Sequence, residues 1–179
     1  MKPPTTYAEW MQCLDVLHDD TSDSHEDVVQ AMEQGEITLT GGVAERFVLR
    51  LLETLDHRLK RTANLLQRDL DRSNGRSAEI VHAILAGRRR LAQARRLTAL
   101  SALPVEVQQK LASLVSEVAE TAQSAMEASA RQDRTGRALS ILRNNAISNL
   151  DACDVQLPEE PRADTAARQI KSRRQIILP

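Results

Sequence analysis

Beyond Phe47 the chain has no Phe, Tyr or Trp, and its three aromatics, Tyr7, Trp10 and Phe47, all lie near the N-terminus. From there on a core must be built from Leu, Ile, Val, Ala and Met. That suits slim helices packed along long seams, and it disfavours a deep, shaped ligand pocket, which usually has aromatic walls. Long apolar runs are missing too, since none approaches the ~18–20 residues that span a bilayer. The opening MKPPTTYAEW has no apolar h-region, so neither a membrane span nor an ordinary secretory signal is expected. Cytoplasm is the default location. Cysteine is scarce: Cys13 and Cys153 are far apart in sequence and are expected to be free thiols.

Charge is present but segregated. The net charge is only -1. Yet residues 1–36 hold nine acids, Asp19, Asp20, Asp23, Glu26 and Asp27 among them, against Lys2 alone. Residues 80–105 hold Arg88, Arg89, Arg90, Arg95 and Arg96 and no acid, and residues 162–179 are again basic.

The periodicity predicts an all-α protein. Thr6 with Glu9 three residues on reads as a capping box that opens a helix running to about Leu17. Ser24 is the cap expected for a short second helix to about Gln34, with Gly35 just past its end. Residues 35–42 alternate weakly and have no partner strand, so they read as an extended connector. A long helix is predicted over 42–71, with Val48, Leu52, Leu55, Leu59, Thr62 and Leu66 as its inner stripe and Val43, Phe47 and Leu51 widening it. Asn74-Gly75 marks the turn. The next helix is expected over 77–102, with Ile80, Ile84, Gly87, Leu91, Ala94, Thr98 and Leu100 facing inward and the small Gly87 and Ala94 allowing close approach. Pro104 opens a helix to about Arg131 in which Val107, Leu111, Leu114, Val118, Thr121, Ala125 and Ala128 step by four and three, a coiled-coil spacing. A last helix is predicted over 137–152. Long helices joined by short turns imply an antiparallel up-down bundle of five to six helices. Residues 1–152 form its single domain, and 153–179 form an extended or disordered basic tail.

No arrangement of residues points to conventional catalysis. The acidic, His-containing stretch His18 to Asp27 lacks the EF-hand progression and the His-Glu-x-x-His spacing. It reads as a solvated connector, and no metal or cofactor is expected. Glu53 and His57 are one residue too far apart for the Glu-x-x-His pair of di-iron bundles. There is no Gly-x-Ser-x-Gly and no phosphate-binding glycine loop. Cys13 and His18 fall on different faces of one helix, so no catalytic residue is assigned.

The expectation is a non-enzymatic helical interaction or adaptor protein. It would bind a protein partner, with a homodimer favoured by the spare apolar stripes of its long helices. Contact is assigned to Arg88, Arg89, Arg95 and Arg96, and to Arg173, Arg174, Ile176 and Ile177 in the tail. The alternative is a nucleic-acid-associated helical protein that places the same arginines on phosphates. The lack of aromatics near them argues against base stacking.

Overall fold

In a computed structural model of the chain, which describes residues 1–19 and 25–158, six α-helices are present and no strand occurs among the described residues. They are α1 (Tyr7–His18), α2 (Glu26–Glu33), α3 (Gly41–Ser73), α4 (Ser77–Thr98), α5 (Val105–Ala130) and α6 (Arg137–Asn144). The all-α class expected from the sequence is the class observed. Residues 35–40 form the extended connector. The Ser24 cap and the tail residues beyond 158 lie outside the described residues.

α1 opens on its capping box. The Glu9 N–H donates to Thr6 Oγ1 at 3.3 Å, and the Glu9 carboxylate accepts from the Thr6 N–H at 3.0 Å and from the Thr5 N–H at 2.7 Å. These backbone bonds, Thr5 first, hold the Glu9 carboxyl down to about 2. The helix buries Trp10, Cys13, Leu14 and Leu17. Trp10 meets Phe47 of α3 edge to face, with ring centroids 5.5 Å apart. Two of the three aromatics thus form one knot that seats α1. Gly35 closes over it, and a Cβ there would stand 2.8 Å from Trp10 Cζ2 and 2.9 Å from the Pro4 carbonyl.

α3, α4 and α5 are the frame. α3 alone, with 33 residues, is about 50 Å long. α3 and α5 both pack on α4 and on each other. α1 lies on α3, α2 lies on α4, and these two short helices touch, so they cover the α3/α4 cleft. α6 touches both α4 and α5 and covers that cleft. The packing is compatible with an up-down bundle. The inward row expected for α4 is fully buried, from Ile80 to Leu100. At Gly87 the close neighbour is the Leu66 side chain of α3, which a Cβ would meet at 2.4 Å.

Three helix details differ from the sequence pattern. In the first turns of α3 the buried residues are Phe47 and Leu51, while Leu52 is 37 % exposed and Val48 half-buried. The Trp10–Phe47 contact sets that rotation. In α5 the core row is Leu111, Val115, Ala119, Ala122, Met126 and Ala130. Of the evenly spaced row, Leu111 alone is buried, Val107 and Val118 are half-buried, and Leu114, Thr121, Ala125 and Ala128 are exposed. The rotation is fixed by polar ties on both flanks. Gln67 Nε2 of α3 donates to Ser129 Oγ at 2.9 Å, and Gln123 Nε2 donates to the Leu142 carbonyl at 2.8 Å. Finally, α6 ends at Asn144. The next residue, Asn145, leaves helical geometry and brackets Gln156: its Nδ2 donates to the Gln156 carbonyl at 2.8 Å and its Oδ1 accepts the Gln156 N–H at 2.7 Å.

Candidate interaction surfaces

The arginines of α4 part company. Arg88 is buried, with 4 % of its surface exposed. Its guanidinium donates from Nε and Nη2 to the Ala146 carbonyl at 3.2 Å each, and from Nη1 to the Asp154 carbonyl at 2.5 Å. It clamps the chain after α6 against α4 and does not face a partner. Burial lowers its pKa from the usual value, with the Asp154 charge acting the other way.

Arg96 is neutralised within the fold. It holds Glu33 bidentately, from Nε to Oε1 at 2.6 Å and from Nη2 to Oε2 at 2.5 Å, and it also bonds Glu26. Gln93 Nε2 adds a bond to Glu26 at 2.9 Å. These bonds, Arg96 first, hold the Glu26 carboxyl below its usual range, and Arg96 is raised in turn by Glu33 and then Glu26. Part of the acidic N-terminal region therefore does cover part of the arginine patch. Arg89 and Arg95 are exposed, Arg95 facing Asp151 at 3.8 Å. Arg173, Arg174, Ile176 and Ile177 lie outside the described residues.

Among the described residues no group of three or more His, Cys, Asp and Glu side chains could hold a metal ion. His18 and His57 stack with centroids 4.7 Å apart. Cys13 is buried and Cys153 exposed, both as free thiols. Burial pushes the Cys13 thiol up, with the Glu9 charge adding to it.

The third cleft of the frame, between α3 and α5, is the one that no described helix covers. At its N-terminal end is a groove of about 640 Å³, lined by Ile37, Leu39, Val48, Leu49, Leu52, Leu103 and Val107, with Glu45 at its edge. Leu49 is 59 % and Leu52 37 % exposed, and Leu114, 37 % exposed, lies two turns beyond Val107 on the same face of α5. Further along, the exposed face of α5 offers Thr121, Ala125 and Ala128. The sequence pattern assigned Leu52 to the inner stripe of α3 and placed Leu114 in the coiled-coil row of α5, without bringing the two together on one surface. Its signal was present as a second apolar row on each helix, more rows than one neighbour can bury.

Among the described residues the fold is all-helical, with Arg96 neutralised by Glu26 and Glu33 and with the apolar α3/α5 cleft covered by no described helix. No family model, curated protein or solved structure matches this chain. No helix among the described residues is long and apolar enough to cross a membrane.

Proposed function

We propose that the chain is a non-enzymatic helical interaction module that associates with itself and with a protein partner. The observation that carries this reading is the α3/α5 cleft. Two of the three clefts of the helical frame are filled by the chain's own short helices, and the third keeps Leu49, Leu52 and Leu114 in contact with water. Contiguous exposed apolar surface of this kind is characteristic of interaction sites, and a cleft between two helices receives a third with an apolar face. A cytoplasmic setting belongs to the same proposal and is supported by the two cysteines, one buried and one exposed, which form no disulfide with each other.

A photo-crosslinking residue at position 49, in lysate of the native host with and without nuclease, tests this. Stoichiometric protein adducts that survive nuclease are expected. Loss of all protein adducts on nuclease treatment would reject the reading. The nucleic-acid alternative has less support, because among the four assigned arginines of α4 Arg88 is inside and Arg96 is neutralised, leaving Arg89 and Arg95 exposed.

A further inference from the structure

We infer that the groove at the N-terminal end of the α3/α5 cleft is occupied by residues 173–178 of this same chain, laid as an extended strand along residues 36–39. This rests on the reading of the cleft as an interaction face and deepens it, by naming a segment that covers and so regulates that face.

One border of the groove is extended backbone. Residues 35–40 join α2 to α3 without helical geometry. Ile37 and Leu39 are half-buried, pack on the core and line the groove, while Glu36, Thr38 and Thr40 are exposed. That alternation is the period of a strand lying on an apolar surface. Among the described residues, no hydrogen bond engages a backbone N–H or C=O of Glu36, Ile37, Thr38 or Leu39. A row of unpaired backbone groups beside an apolar trough suits an extended segment, which brings main-chain hydrogen bonds to the edge and side chains to the trough. A helix satisfies its backbone internally and would leave those groups unpaired.

Charge narrows the occupant further. Glu45 is the one charged residue among those lining the groove, and the exposed Glu36 directly precedes Ile37. Neither joins an ion pair among the described residues. The complement is a segment that sets cations beside apolar residues.

Two stretches of the chain lie outside the described residues. Residues 20–24 are Asp, Thr, Ser, Asp and Ser, with nothing to fill an apolar trough. Residues 159–179 include Arg173, Arg174, Gln175, Ile176, Ile177 and Leu178 in succession, cations followed by aliphatics of which the isoleucines favour extended backbone. In an extended segment Arg174, Ile176 and Leu178 share one face. Ile176 and Leu178 then fill the trough, and Arg174 meets Glu36 or Glu45 according to the direction of the strand.

The tether is long enough. Arg88 holds the Asp154 carbonyl and Asn145 holds Gln156. From Arg88 to Ser101, which lines the groove, is about 20 Å along the axis of α4. Residues 157–172 span up to about 55 Å when extended, enough to pass around a helix as well. A tethered segment meets its site at millimolar effective concentration, so a modest intrinsic affinity suffices.

The test is a photo-crosslinking residue at position 49 in the purified full-length chain at low concentration, the adduct being mapped by mass spectrometry. The expected adduct joins position 49 to residues 173–178 within one chain of 19.9 kDa. Ile176→Asp with Leu178→Asp should cut it about tenfold or more at unchanged helix content. Arg173→Glu with Arg174→Glu should cut it a few-fold. Amide hydrogen exchange at alternate residues of 36–39 should be about tenfold slower in the wild type than in the aspartate variant. No tail adduct, an adduct indifferent to the aspartate pair, equal exchange in the two proteins, or a tail adduct formed only between two chains overturns the inference. If no tail adduct forms and the same residue captures another protein from lysate, the tail is wrong and the interaction reading stands. If the tail adduct forms and even the aspartate variant captures no protein from lysate, the tail stands and the interaction reading falls.

Discussion

Replacing Arg88 with alanine is expected to cost about 3 kcal/mol, because it strands buried carbonyls and leaves a gap beneath the chain after α6. Urea denaturation checks the magnitude. Faster protease cleavage beyond Asn144 checks the location. The sequence could not assign this role: Arg88 and Arg89 are adjacent identical residues, and only the path of residues 145–156 makes one a clamp and leaves the other exposed. The Glu26–Arg96 contact has a pH signature. The folded state holds Glu26 below its ordinary value, so this contribution is present above the ordinary carboxylate range and fades as pH falls through the folded value. Glu26→Gln should therefore lower the Tm more at pH 7 than at pH 3, and equal losses at both would dismiss the contact as a source of stability. Glu9 follows the same sign, its contribution being lost between its ordinary value of 4.5 and about 2.

At the scale of the helix, punctuation was the most legible feature. The Thr6–Glu9 capping box and the Asn74-Gly75 turn are local, involving groups a few residues apart, so the sequence alone specifies them. Thr6→Ala is expected to lose about 1 kcal/mol, read from the urea midpoint. The small residue at Gly87 was legible as a point of close approach, though what approaches is the Leu66 side chain. Leu66 is 1 % exposed and has little room to yield. Gly87→Val should destabilise by about 1–3 kcal/mol through overpacking, and Gly87→Val with Leu66→Ala should recover part of it. The rotation of α5 was not legible. Its two apolar rows share Leu111 and diverge by small angles, and evenness of spacing does not decide between them. The ties from Gln67 to Ser129 and from Gln123 to Leu142 do, and they join residues far apart in sequence.

For the whole molecule, the charge segregation seen in the sequence becomes partly an internal contact, α2 laid on α4 by Arg96. Arg89→Ser with Arg95→Ser is expected to leave duplex DNA binding at its background level, because, of the four α4 arginines assigned to contact, Arg88 is buried and Arg96 is held by Glu26 and Glu33. Salt-dependent binding at about 50 mM salt that the double variant abolishes would favour the nucleic-acid reading instead. The all-α class, the count of five to six helices, the Thr6–Glu9 capping box and the inner row of α4 follow from the sequence by itself, since periodicity and capping act within a turn or two of one helix. Which face of α3 and α5 is buried, which arginine is inside and which cleft stays open were decided by the tertiary structure. Each helix carries more apolar surface than one neighbour can cover, and only the placement of α1, α2 and α6 determines what is left over.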